Sequence, residues 1–428
     1  MNNREASINM VNIIIKTTRR KGKQSLKLST FLSFLFFLLI LSPIALPGQS
    51  IHKLLKKGSV SNKEFKVKLN TTVERGKYII ENVKIEGSSK QYRFILDSGS
   101  PCVVSSSVAN ELALEIVASD SITDGFSKTK AEYRTADISL NGVNFINIAL
   151  ASITDFDVGF DYLCDIDGII GNNLMNKCVW QISKDSIVIA NKTESLEDIG
   201  NYGGRLIMQG LGNAYPYIYT IFSRSRFTTL IDLGDDATIG INKIILPFLR
   251  ESEILKGSGK PIRRAFTYIS DSTHNRLCKS DLFIIGVDTI RNPIAFVDQE
   301  SSIGLGMMDY FNLTLDFQKK RFYLFRKPSS YSFQNIRSFG FNIEIDDSNR
   351  VFVSYIWDNS AAKTAGIKLG DEIKSVNNIN IEEFKEKHEK CDLYSVLIAE
   401  LKNKDSIDVR MYGTDRSYHM GKKSLFEN

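Results

Sequence analysis

The chain has 428 residues, with 55 Lys or Arg against 49 Asp or Glu, a net charge of +6. Seven of those cations and one acid lie in the first 50 residues, so the leader carries the whole surplus and the remainder holds 48 charges of each sign. A balanced remainder gives a nucleic-acid partner no electrostatic footing.

The chain opens with a basic, polar lead and then FLSFLFFLLILSPIALPGQS. The apolar core from Phe31 to Leu41 is shorter than the ~20 residues a membrane span takes, and Pro43 breaks the run soon after it. This is the shape of a signal peptide over residues 1–50, cleaved near Gly48 to Ser50. It implies an exported protein, periplasmic or extracellular. A retained membrane anchor is the alternative, with the leader as the sole membrane contact, and Met10 is an alternative start. No cysteine precedes Cys102, so the leader has none to carry a lipid.

The exported remainder exceeds one typical domain. KYIIENVKIEG reads as strand, and FILDSGSPCVV comes after it, where Phe94, Ile95 and Leu96 end a buried strand and the chain turns at Ser98, Gly99 and Ser100. Asp97 therefore stands where strand meets loop. The Ser98 hydroxyl can bond locally and Gly99 lets backbone N–H groups come close. SVANELAL reads as a short helix, and ISLNGVNFINIAL as a hairpin turned at Asn141 and Gly142. DGIIGNNLM and the strand pair of WQISKDSIVI come next, and the Asn- and Gly-rich stretch from Lys192 to Gly212 reads as a linker.

A lone Asp-Ser-Gly after an apolar run is an ordinary strand-to-turn junction. This chain contains the stretch twice. FTTLIDLGDDATIG repeats it 135 residues on, with Asp232 matching Asp97 and Gly234 matching Gly99. Asp97 to Gly171 is 74 residues, as is Asp232 to Gly306 of IGLGMMDYF, and LDFQKKRFYL then matches WQISKDSIVI. An internal duplication of one β unit accounts for these matches.

Over residues 66 to 328 this pattern resembles the two lobes of pepsin-like and retropepsin-like aspartic proteases. The resemblance implies a mainly β fold of two duplicated lobes, 66–193 and 213–328. It also implies a catalytic dyad of Asp97 and Asp232 on active-site loops carrying Ser98, Gly99, Leu233 and Gly234. Like charges a few ångströms apart cannot both ionise, so one carboxylate can serve as base while the other stays protonated. The family also closes its cleft with a flap, for which KTKAEYRTA is the candidate stretch, with Tyr133 either a flap residue or a surface-strand tyrosine. The second loop departs from the family: Leu233 replaces the usual Thr or Ser, and Asp235 and Asp236 replace small residues. Added carboxylates there would raise the pair's proton affinity.

From Phe339 the composition changes. FGFNIEI begins with Gly340 between two aromatics, and DNSAAKTAGIKLGDEIKSVNNINI offers a helix over 361–365, turns at Gly366 and at Asn377 and Asn378, and the Leu369, Gly370, Asp371 run. This closely resembles a PDZ domain, over 337–420. Leu393, Val396, Leu397 and Leu401 recur at helical spacing after Asp392, a candidate N-cap. The resemblance implies a groove in which an extended peptide adds as a strand, its C-terminal carboxylate held by the N–H groups of Phe339, Gly340 and Phe341.

Five cysteines leave one unpaired at least. Cys164 and Cys178 are close enough in sequence to pair, and buried free thiols are the alternative. Cys102 is expected to pack, since a nucleophilic role would need a base. Four scattered histidines, His52, His274, His388 and His419, show no metal-ligand spacing, and no GxSxG elbow or P-loop occurs. No metal or other cofactor is expected. The implied function is an exported aspartic endopeptidase acting on protein or peptide substrates, its PDZ domain binding peptide C-termini. The alternative is a catalytically silent homologue that binds peptides or serves in assembly through that domain.

Overall fold

The computed structural model describes residues 50–123, 128–153, 156, 163–259, 276–328, 336–346, 348–413 and 416–426. The expected leader lies outside the described residues up to residue 49. Among the described residues, no helix is long and apolar enough to cross a membrane.

The first half is built from hairpins. Strands β1 (Thr71–Glu74) and β2 (Lys77–Ile85) are joined by a two-residue turn at Arg75 (φ 51°) and Gly76 (φ 75°). Two positive φ angles in succession give the primed turn that matches strand twist. Strand β3 (Tyr92–Asp97) lies between β2, antiparallel, and β8 (Gly168–Gly171), parallel. Covered on both sides, it reads as a run of buried apolar residues through Leu96 and not as an alternation. After it come β4 (Val103–Ser105) and α1 (Ser106–Glu111), whose N-cap Ser105 accepts from the Val108 N–H. Strands β5 (Ala118–Thr123), β6 (Lys128–Leu140) and β7 (Val143–Ile153) complete the sheet, and the β6–β7 turn at Asn141 (φ 45°) and Gly142 (φ 86°) is the one expected.

The second half repeats this plan. A hairpin of β9 (Tyr215–Phe222) and β10 (Ser225–Ile231) leads to Asp232, and β10 runs parallel to the short β11 (Ser302–Ile303), with Ile231 opposite Ile303. The ladder corrects one equivalence. Gly304, not Gly306, falls beside Asp232 as Gly171 falls beside Asp97, and both cap short helices in extended conformation (φ −99° and −106°). The second half is therefore two residues shorter over this span, a difference its loops absorb and a count of residues cannot place.

The hairpins at the end of each half meet. Val179–Ser183 pairs antiparallel with Phe311–Asp316, Trp180 opposite Leu315, and their partners Ser186–Ala190 and Arg321–Arg326 flank them in one shared sheet. The expected linker contributes to it: Asn201–Arg205 pairs with Arg321–Arg326. Buried residues of both halves, among them Phe94, Trp180, Ile231 and Phe311, form one continuous core.

The C-terminal segment has its own core, including Phe339, Ile343, Val353, Leu393 and Val409. Its elements include β12 (Phe341–Ile345), β13 (Val351–Trp357), α2 (Ala361–Ala365) and α3 (Lys390–Asn403). Helix α2 lies where expected, capped by Ser360 and closed by Gly366 at φ 86°. Helix α3 starts earlier than expected: Glu389 is the N-cap and Asp392 lies in the first turn, where its charge still complements the helix dipole. Strand pairing and a covalent bond are among the links that tie this segment to the rest. The Ile254–Gly259 strand of the second half pairs with β13, Gly257 opposite Trp357, and a disulfide joins Cys164 to Cys391. Of the two readings for Cys164 and Cys178, the buried free thiol holds for Cys178 and neither holds for Cys164, whose partner lies 227 residues away and is brought to it by folding and not by nearness in sequence.

Candidate active site

Asp97 and Asp232 end matching strands and converge. Each carboxylate accepts from the backbone N–H two residues on: Gly99 N to Asp97 Oδ1 at 2.7 Å, and Gly234 N to Asp232 Oδ1 at 3.0 Å. Each glycine also lies against the opposite acid. A Cβ at Gly99 would stand 2.8 Å from the Asp232 carboxyl carbon, and one at Gly234 would stand 2.4 Å from that of Asp97. The two carboxyl groups are near enough for each to act on the other's proton affinity.

The loops are braced asymmetrically. Buried Ser98 donates from Oγ to the Ile231 carbonyl at 2.6 Å and accepts from the Leu233 N–H at 3.0 Å. Leu233, fully buried in the core, has no hydroxyl to return the bridge. One half of the cross-brace is a hydrogen-bonded bridge, and the other half is packing.

Burial holds both carboxyls above the ordinary carboxylate range. For Asp97, the Gly99 N–H and the Lys77 cation work against that rise, while Asp235 adds to it. Asp232 is pushed well up, by burial first and then by the charges of Asp97 and Asp235, with Lys77 opposing. The pair is thus arranged to keep one proton between two acids. Asp235 acts as expected from the sequence. Asp236 lies against Gly76, 2.7 Å from where a Cβ would be, and is not among the main charges on the pair.

Lys77 carries no mark in the sequence. Its Nζ donates to the Gly234 carbonyl, from the start of β2. The Glu-Arg-Gly-Lys turn is recognisable as a turn, but nothing in its residues says which loop it meets. Burial, followed by the Asp97 charge, drives the phenol of Tyr215, at the start of β9, above its ordinary range, and Asp232 adds to the rise.

Tyr133 is neither a flap nor a surface residue. It is wholly buried in a core of Ile79, Ile95, Val103 and Ala151, because β6 lies between β5 and β7 at that point. Cys102 packs as expected, fully buried, its thiol pushed up to about 12 and its sulfur accepting from the Gly171 N–H.

In the C-terminal segment, Phe339 and Phe341 are buried and Gly340 adopts φ 86°, with Ser360 filling the space a Cβ would need. Of the three N–H groups expected to hold a carboxylate, that of Gly340 already bonds Ser338 Oγ at 2.9 Å. Strand β12 ends its sheet, and α3 lies beside its open edge, where Tyr394 Oη donates to the Ile343 carbonyl at 3.4 Å. Among the described residues, Cys164, Cys391 and Asp392 are grouped closely enough to share an ion, but the two sulfurs are joined in a disulfide and are no longer thiolate ligands.

Residues 332–392 match the PDZ domain family model. This segment is a PDZ domain, a module that binds peptide C-termini. No curated protein matches the chain. Among solved structures, it is similar to an aspartic proteinase from Irpex lacteus, with a TM-score of 0.43 at 13% identity, over 63% of this chain and 100% of that one.

Proposed function

We propose that this protein is an exported aspartic endopeptidase in which Asp97 and Asp232 hydrolyse peptide bonds and the PDZ domain binds peptide C-termini. The observation that carries the reading is the reciprocal geometry of the pair: two carboxyls, each fixed by an N–H of its own loop and each seated on the other loop's glycine. Such a pair, sharing one proton, has a base and an acid at the same place. The ionised carboxylate takes a proton from a water molecule as it attacks the scissile carbonyl. The protonated carboxyl gives its proton to the carbonyl oxygen, and the tetrahedral intermediate collapses with proton transfer to the leaving amine. The Cys164–Cys391 disulfide supports export, since such bonds persist in oxidising compartments. The domain limits 66–193, 213–328 and 337–420 belong to the same proposal.

A second reading, a silent homologue that works only through its PDZ domain, is favoured by one observation: the missing hydroxyl at Leu233. A peptide carrying a hydroxyl-bearing mimic of the tetrahedral intermediate separates the two. The protease reading expects it to raise Tm in the wild type and to lose that effect in Asp97→Asn. Stabilisation by free C-terminal peptides alone would favour the silent homologue.

A further inference from the structure

The turn between β1 and β2 touches three things at once. Arg75 Nη2 donates to the Cys391 carbonyl at 2.8 Å, and the Arg75 guanidinium lies 3.9 Å from the centre of the Tyr394 ring. Both partners are in the first turns of α3, the helix beside the peptide groove. Gly76 packs on Asp236, and Lys77 bonds the Gly234 carbonyl, so the other side of the turn rests on the second catalytic loop. The underside is fixed as well. Arg93, from β3, binds Glu74, Glu81 and the carbonyl of Cys164, the disulfide partner of Cys391.

The primed turn fixes its own local shape, but not where it lies against the rest of the molecule. Here its position is set from outside, by a helix of the PDZ domain. We infer that Arg75 and Lys77 are positioning residues for the carboxylate pair, with α3 of the PDZ domain holding Arg75 and thereby seating the Lys77 ammonium on the Asp232 loop. The inference rests on the reading of Asp97 and Asp232 as a working pair and adds to it a means by which the PDZ helix sets the pair's protonation.

The physical consequence concerns charge. Among the described residues, the titratable groups that act electrostatically with the pair are Lys77 from β2, Asp235 from the second loop, and Tyr215 and Tyr217 from β9. Lys77 is the cation among them, opposing burial and Asp235. A cation stabilises the singly ionised pair that the chemistry needs, and it does so in proportion to how closely it is held. Loosening Arg75 lets the ammonium drift toward solvent and raises the pair's proton affinity, although no charge has been removed.

The test is a carboxyl ¹³C NMR titration of Asp97 and Asp232 in the full chain, with resonances assigned through Asp97→Asn and Asp232→Asn. Lys77→Met is expected to raise the midpoint of the first ionisation by about one pH unit. Tyr394→Leu, neutral for neutral and on the PDZ domain, is expected to raise it by less, in the same direction. Arg75→Lys keeps the charge but loses the planar fork, and it carries the same expectation should Tyr394→Leu fail to fold. Lys84→Met, an exposed lysine on the same strand, serves as the control and is expected to titrate as wild type. The inference is overturned if Lys77→Met leaves the midpoint in place, or if the folded Tyr394→Leu and Arg75→Lys variants both titrate as wild type. Cleavage is scored separately. A chain that cleaves nothing yet shows the expected shifts refutes the protease reading alone, and an active chain without the shifts refutes this inference alone.

Discussion

Gly234 and Asp97 are in such close contact that the glycine has no room for a side chain: a Cβ would lie 2.4 Å from the carboxyl carbon. Gly234 has no positive φ to explain its choice, so the carboxylate is what requires it. Gly234→Ala is expected to leave the fold intact and displace Asp97, lowering kcat by about 100-fold, as small misplacements of reacting groups do. A Gly234→Ala enzyme with wild-type kcat would show that Asp97 is not held for chemistry.

Ser98 bridges the two loops with a single hydroxyl. Ser98→Ala deprives the Ile231 carbonyl of a donor and the Leu233 N–H of an acceptor, both in the core. The expected loss of stability is about 1–3 kcal/mol. Urea unfolding checks it, and Ser98→Thr, which keeps the hydroxyl, is expected to recover most of the loss.

Asp232 gives stability a pH dependence of definite sign. Burial, followed by the Asp97 and Asp235 charges, raises its proton affinity in the native state. The stability it contributes is complete below the ordinary carboxylate pKa and is lost as pH rises through the raised value. Asp232→Asn cannot ionise, so at neutral pH it is expected to melt a few degrees above the wild type. The gap should close as pH falls toward about 4. A gap that stays constant across that range would contradict the raised affinity.

The disulfide is directly countable. Of five cysteines, Cys102, Cys178 and Cys278 are free. Thiol assay of the denatured protein is expected to find three groups without reductant and five with it. Cys164→Ser with Cys391→Ser should cost about 2–5 kcal/mol, because the bond closes a long loop of the unfolded chain.

Ser338 competes for the Gly340 N–H. Ser338→Ala frees that donor, and binding of a peptide with a free C-terminal carboxylate is expected to tighten by a few-fold, equivalent to about 0.5–1.5 kcal/mol. Calorimetry with the same peptide amidated at its C-terminus should show no such gain.

The parts of the site legible in the sequence are those that local chemistry marks. Apolar runs ending in Asp, with Gly two residues on, announce both loops, and Asn141-Gly142 and Ser360 to Gly366 announce a hairpin and a helix with both ends. The remainder depends on which surfaces meet. Lys77 and Arg75 sit in an ordinary turn until the second loop and the PDZ helix close on them. Cys391 finds Cys164 and not a neighbour. Tyr133 is buried by strands on both sides, although its own stretch is polar. Gly304 displaces Gly306 because equal spacing in sequence conceals a loop shorter by two residues.

The central claim is that Asp97 and Asp232 work as one catalytic pair. Its most direct test is cleavage of a mixed peptide library by the protein from Ile51 onward across roughly pH 3 to 8, with Asp97→Asn and Asp232→Asn alongside. The expected result is cleavage by the wild type that both substitutions abolish. A wild type that cleaves nothing at any pH while binding C-terminal peptides, or a cleavage that survives either substitution, would contradict it.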